Sequence, residues 1–271
     1  MHALWGTLWV ALSAILALSL APPAVAGDAG QVDVELVLAV DVSRSMDIEE
    51  FELQREGYVE ALRHPEFVQA VQAGRTGRIA LTYFEWASSP REESLVAWRI
   101  IDGPASAEAF AAELASRPFS GFRGTSISAA IDFGAGLFDR NAVDSPRHVI
   151  DVSGDGPNNM GRPVIGSRNA ALAQGVIING LPILVRPSRT QDQLDRYYAE
   201  CVIGGPGSFV LPIREASEFA TAIRRKLILE VSGVMPEARV INAQAPDISA
   251  CLVGERNRRL FTDPYFPELD R

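Results

Sequence analysis

Five successive apolar residues, Leu36 to Val40, run without a polar break into Asp41. A strand exposed on one face alternates apolar with polar side chains, so an unbroken apolar run this short fits a strand covered on both faces. The rest of the chain supplies the covering elements. Asp47-Ile48-Glu49-Glu50 is a capping-box-like start to a helical pattern that carries Phe51, Tyr58, Val59, Leu62, Phe67, Val68 and Val71. Residues 78–86 and 95–101 are strand-like, with the turn-prone Ser88-Ser89-Pro90 between them. Helical patterns follow at 105–117 and 126–138, a strand at 148–153, a helix at 167–178 and a short strand at 182–185. The order ends with a helix at 190–201, an extended stretch at 209–213 and an amphipathic helix at 215–231. This alternation predicts an α/β fold, a doubly wound and mainly parallel central sheet flanked by helices. The pair at 78–101 is its expected antiparallel edge.

Three segments are expected along the chain. Residues 1–26 contain no Asp, Glu, Lys or Arg, break at Pro22-Pro23 and end in Ala24-Val25-Ala26. Small residues there match a signal-peptidase site, so this segment reads as a secretory leader cut after Ala26. The competing reading is an uncleaved membrane anchor, because about nineteen apolar residues just span a bilayer. The folded domain is expected over 27–231. Residues 232–271, with Pro236, Pro246, Pro264 and Pro267, read as an irregular tail packed on that domain. Export to the periplasm or beyond places Cys201 and Cys251 in an oxidising compartment, where they either pair or stay as buried thiols. If paired, they close a loop of about fifty residues, for roughly 4 kcal/mol in the chain-entropy model.

Composition excludes several classes. An apolar share of 47% is too high for a disordered chain. A net charge of −9 has the wrong sign for displacing counterions from nucleic-acid phosphates. Two cysteines make neither a disulfide scaffold nor a zinc-ligand pattern. After the leader, no further apolar stretch is long enough to span a membrane.

Ligands of doubly wound sheets bind at the carboxyl ends of the strands. The first strand ends there in Asp41-Val42-Ser43-Arg44-Ser45, with one carboxylate and two hydroxyls at alternate positions. Oxygen donors at this density suit magnesium. The same residues also serve as helix caps or strand-end turns, so five residues alone leave both readings open. Two more segments bear on the choice. Gly124-Thr125-Ser126 offers a hydroxyl just before a helix, and the strand from His148 runs into Gly154-Asp155-Gly156, a carboxylate between glycines.

In that order, Asp-x-Ser-x-Ser, Gly-Thr and strand-Gly-Asp-Gly resemble the von Willebrand factor type A (VWA) domain and its metal-ion-dependent adhesion site, over about residues 32–231. Glu85-Trp86, the run 153–159 and Gly204-Gly205-Pro206-Gly207 are similar to an uncharacterised family of exported bacterial VWA proteins. The resemblance implies a magnesium ion, or manganese or another divalent cation. Ser43, Ser45 and Thr125 would bind it through hydroxyls, and Asp41 and Asp155 directly or through water. It also implies a partner protein whose acidic side chain completes the coordination, and a binding module in place of an enzyme. Asp151 would orient a ligand or water, or else is a buried hydrogen-bonded carboxylate. Glu85 and Asn158 either line the same rim or are solvated loop positions.

Two alternatives compete. In one, the metal is purely structural. In the other, the chain is a metal-dependent phosphatase of the haloacid dehalogenase type. Such a phosphatase needs Asp-x-Asp and a lysine at the phosphate. Here Ser43 holds the second position, and the sole lysine, Lys226, lies in the last amphipathic helix. A Ser-His-Asp hydrolase lacks its Gly-x-Ser-x-Gly elbow.

Overall fold

The computed structural model describes residues 30–46, 48–118, 121–186, 193–233 and 249–262, with side chains as far as residue 258. The expected leader, Asp47, part of the 190–201 helix and most of the tail lie outside the described residues.

Strand β1 (Glu35–Asp41) is buried along its whole length and occupies the middle of a five-stranded sheet. It pairs in parallel with β2 (Ile79–Trp86) on one side and β4 (His148–Gly154) on the other. Beyond β4 lies the parallel β5 (Ile177–Pro182), and beyond β2 the antiparallel β3 (Pro90–Ile101). The order β3-β2-β1-β4-β5 thus has one antiparallel edge on an otherwise parallel sheet.

Helices α1 (Ile48–Arg63), α2 (Pro65–Gln72), α3 (Pro104–Ala115) and α7 (Phe219–Ser232) cover one face. The other face carries α4 (Ile127–Phe138), α5 (Val164–Ala173) and the short α6 (Leu194–Tyr197), which continues into a π-helical turn at Tyr198–Val202. Side chains of β1 alternate between the two cores. Leu36, Leu38 and Val40 face α1 and α7, whereas Val37 and Ala39 face α4 and α5. An uninterrupted apolar run is therefore what this strand requires.

Three local expectations are corrected. The helix predicted at 167–178 ends at Ala173, because Gly175 turns the chain at φ 80°. The freed Ile177 and Ile178 open β5, which therefore starts five residues before the expected 182–185 strand. The break expected at His64-Pro65 within the helical pattern from Phe51 to Val71 is present, and His64 Nδ1 caps α2 there by accepting from the Glu66 amide at 3.2 Å. The tail is not irregular throughout, since a 3₁₀ turn at Ala250–Leu252 leads into α8 (Val253–Thr262). Helix α8 spaces Val253, Leu260 and Phe261 at the helical period, a pattern that the prolines around it masked in the sequence. Its anchor is covalent, a Cys201–Cys251 disulfide with Cα atoms 5.5 Å apart.

Candidate metal centre

Parallel pairing sets Val40 beside Ser153, so the chain segments leaving β1 and β4 meet at one edge of the sheet. Asp41 Oδ1 accepts from the Ser43 amide at 2.7 Å, which curls the backbone at the strand end. Ser43 Oγ and Ser45 Oγ are 2.9 Å apart. Ser45 Oγ donates to Asp155 Oδ1 at 2.7 Å, and Ser43 Oγ lies 3.5 Å from the same oxygen. Thr125 comes from the loop before α4. Backbone bonds from Phe122 N to Val42 O at 3.0 Å and from Arg44 N to Phe122 O at 2.8 Å clip that loop to the β1 end. The Thr125 amide donates to Asn159 Oδ1 at 2.9 Å. Its carbonyl accepts from the Asn159 and Met160 amides at 2.8 and 3.1 Å. With Ser43 and Ser45, Thr125 lines a cleft of about 440 Å³.

Charge in this cluster is unbalanced. Burial pushes the Asp41 carboxyl well above the usual carboxylate range; Asp155 pushes it further, and hydrogen bonds from Ser43 oppose the rise. Burial also pushes Asp155 up to about 6, opposed by the hydrogen bond from Ser45 and reinforced by Glu50. Asp41 Oδ2 is buried and has no hydrogen-bond partner among the described residues. The charged neighbours that bear most on these two carboxyls are themselves acidic, Asp155 on Asp41 and Glu50 on Asp155. Among the described residues no group of three or more His, Cys, Asp or Glu side chains gathers, so the donors here are two carboxylates and three hydroxyls. All are hard oxygens, and one of them, Asp41 Oδ2, is buried without a hydrogen-bond partner among the described residues. This donor set fits a hard divalent cation such as magnesium or manganese.

Two supporting residues carry no signal in the sequence pattern. Gln54 of α1 donates from Nε2 to the Asp41 carbonyl at 3.0 Å and accepts from Ser153 Oγ at 3.1 Å, tying the two strand ends together. Tyr198 comes from the π-helical turn. A Cβ at Gly154 would lie 2.8 Å from both Tyr198 Oη and Asp41 Oδ2, so a side chain there would displace one of them. Gln54 comes from the helix that follows β1, thirteen residues after Asp41, and Tyr198 from an element far away in sequence; neither belongs to a recognisable spacing.

The outer candidates divide. Asp151 is buried on the α7 side of β4, its Oδ1 3.0 Å from Lys226 Nζ. Lys226 in turn donates to Glu230 Oε1 at 2.6 Å. Burial raises Asp151 to about 7 against the opposing pull of Lys226. The carboxylate therefore belongs to a closed ionic cluster. Glu85 is also buried, not at a rim; it pairs with Arg55 and accepts from Tyr83 Oη at 3.1 Å. Asn158 is fully buried too. Its Oδ1 accepts from the Ser128 amide at 3.0 Å, and its Nδ2 donates to Arg162 O at 3.1 Å and Glu255 Oε1 at 2.7 Å. It thus joins α4, the loop after β4 and α8. Solvated-loop readings of Glu85 and Asn158 fail because both side chains have partners inside the fold.

Residues 31–235 match the family described as "Protein of unknown function (DUF1194)". The chain belongs to this family. Among solved structures, the DUF1194 chain is similar to proximal thread matrix protein 1 from the mussel byssus, with a TM-score of 0.55 and 14% identity over 74% of this chain and 48% of that one. It is similar to the pilus adhesin SpaC of Lactobacillus rhamnosus GG, with a TM-score of 0.53 and 13% identity over 74% of this chain and 31% of that one. The vWF domain of the type V pili tip protein Mfa5 from Porphyromonas gingivalis gives a TM-score of 0.53 at 10% identity, covering 77% of this chain and 98% of that one. The match thus spans less than half of the first two proteins. The DUF1194 domain has the VWA fold, as the motif order implied. No curated protein matches the sequence.

Proposed function

We propose that this protein is an exported module that binds a partner protein through a divalent cation, magnesium in the first instance. Asp41, Ser43, Ser45, Thr125 and Asp155 would hold the ion, which supplies a site for an acidic side chain of the partner. The observation carrying this reading is the Asp41 carboxylate, buried with one oxygen unpartnered, at a strand end where Ser43 and Ser45 meet Asp155 and line a cleft. The fold relative from the mussel byssus has been solved with a zinc-occupied MIDAS motif, which supports a metal role for this motif on this fold. In proteins of this architecture named as pilus adhesins, the domain belongs to a surface-exposed assembly, which supports export. No helix among the described residues is long and apolar enough to cross a membrane.

Hydrolysis is the weaker reading because both histidines of the folded region have structural partners. His64 caps α2, and His148 Nε2 lies 3.3 Å from Glu35 Oε1 at the start of β4, the opposite end of that strand from Asp155. Lys226 is committed to Asp151 and Glu230.

Magnesium titration of the protein, followed by thermal unfolding, tests the ligand set. At a hundred times the dissociation constant the ion should stabilise the fold by about 2.7 kcal/mol. Asp41→Ala should abolish that gain with the far-UV circular dichroism unchanged, because the ligands leave strand ends and do not fill the core. Unaltered magnesium affinity in Asp41→Ala would remove this assignment. A pull-down from an envelope extract, with magnesium and again with chelator, tests the partner half. Retention of a protein only with the ion is expected. A magnesium-stabilised protein that retains nothing in an ion-dependent way would make the ion structural.

A further inference from the structure

The cleft at the candidate centre continues past Thr125 to α8. Ser45, Arg123, Gly124, Thr125 and Asn159 line both of its parts. One part adds Ser43 and Arg44. The other, about 490 Å³, adds Pro157, Met160 and, from α8, Asn257 and Arg258. Neither part is lined by Asp or Glu, although the chain has 34 acidic residues against 25 basic ones. Arg44 and Arg123 are exposed and make no side-chain hydrogen bond or ion pair among the described residues. Arg258 is exposed as well, its Nη1 3.4 Å from Asn159 O. Three arginines, with no lining carboxylate among the described residues, at the open cleft beside the proposed ion give an acidic protein a locally cation-lined mouth that concentrates anions.

The wall is built into the fold. The Cys201–Cys251 disulfide, the Asn158–Glu255 hydrogen bond of 2.7 Å and the close approach of Gly254 to the Asn158 carbonyl hold α8 against the loop that carries Asp155. Glu255, the acidic residue of that first turn, faces inward onto Asn158 and leaves Asn257 and Arg258 on the cleft.

We propose that the cleft recognises an acidic peptide segment at two points. One carboxylate goes to the cation, and a second, two to four residues along, goes to Arg123 and Arg258 beside α8. This rests on the metal-binding reading above and adds the class of partner to it. A peptide is favoured over other polyanions because the same wall carries an asparagine amide, which both donates and accepts, together with the apolar surfaces of Met160 and Pro157. Peptide backbones present amides and small apolar side chains in alternation.

Fluorescence anisotropy on the full chain tests this with labelled Gly-Ser-Ala peptides. One carries a single Asp; the others carry a second Asp two, three or four residues further on. With magnesium, the best two-acid peptide should bind about tenfold more tightly than the single-acid one, the combined effect of two partly exposed charge pairs. Arg123→Gln, and Arg123→Gln with Arg258→Gln, should reduce that gain stepwise. Arg99→Gln, an exposed arginine paired with Glu113 on the sheet edge, should keep it. Raising the salt concentration should shrink it. Equal affinity of all peptides, no binding of any, or a gain that survives in the double variant would overturn the proposal. So would polygalacturonate displacing the peptides at lower carboxylate concentration than unlabelled two-acid peptide, which would assign the cleft to anionic polysaccharide. Binding that ignores magnesium would overturn the metal reading and this inference with it. Magnesium-dependent binding without the second-acid gain would overturn this inference alone.

Discussion

Strand β4 serves two pairs of carboxylates, and they are handled in opposite ways. Asp151 and Glu230 share the ammonium of Lys226, the only lysine in the chain, and Asn179 Nδ2 donates to Glu230 Oε2 at 2.6 Å. Four residues further along, Asp155 stands beside Asp41, and the charged neighbours that bear most on the two are acidic. Asp151 in the one pair, and Asp41 and Asp155 in the other, have raised carboxyl pKa values with burial as the leading cause. The inner pair contains its counter-charge in covalent form. The outer pair is hydrogen-bonded by Ser43 and Ser45, whose side of the cluster lines a cleft, the arrangement suited to an exchangeable cation. A side chain that brings its own charge makes a permanent structural element, whereas hydroxyls that only solvate charge make a site.

Removing the built-in cation should have the largest effect. Lys226→Met leaves Asp151 and Glu230 buried without compensation and should cost about 3–5 kcal/mol in urea unfolding. Restoration of wild-type stability by high magnesium in that variant would break the distinction between the two pairs. Cys251→Ser releases the tether of α8 and should cost about 2–4 kcal/mol, an effect that a reductant reproduces on the wild type but not on the variant. An equal loss in the variant with and without reductant is expected; a further loss on reduction would show a different bond at work.

Proton linkage separates the pairs more finely. A carboxyl raised in the folded state binds its proton more tightly there than in the unfolded chain, so its contribution to stability is present at low pH and lost as pH rises. For Asp155 this window runs from its ordinary value of 3.8 to about 6, and for Asp151 from 3.8 to about 7. Without metal, stability should therefore fall across these windows, by about 3 kcal/mol for Asp155 on the linkage relation. Magnesium should flatten the part due to Asp41 and Asp155 and leave the Asp151 part, visible between pH 6 and 7. Denaturant midpoints measured at half-unit pH steps with and without magnesium check this. Identical slopes in both series would mean the ion does not meet the outer pair.

Much of the fold was legible in the chain. The Leu36–Val40 run, the helical patterns and the Ser88-Ser89-Pro90 turn lead to a parallel sheet with one antiparallel edge, because strand burial on two faces needs apolar residues at every position. The five residues proposed as oxygen donors were legible as motifs, since each sits within a few residues of a strand end or helix start. Its surroundings were not. Glu85 and Asn158 have the composition of rim residues, yet Arg55 and Glu255 draw them inward. Gln54 and Tyr198 reach the centre from α1 and the π-helical turn, at separations no local pattern records.

Sequence alone determined the class of fold, the motif order and the two cysteines able to staple the C-terminal segment, because periodicity, turn residues and donor types are local properties. Tertiary structure decided which carboxylates keep a resident counter-ion, where α8 lies and which arginines line the cleft. Those outcomes depend on which side chains meet across the sheet and on how much water each loses, and neither quantity exists until the chain has folded.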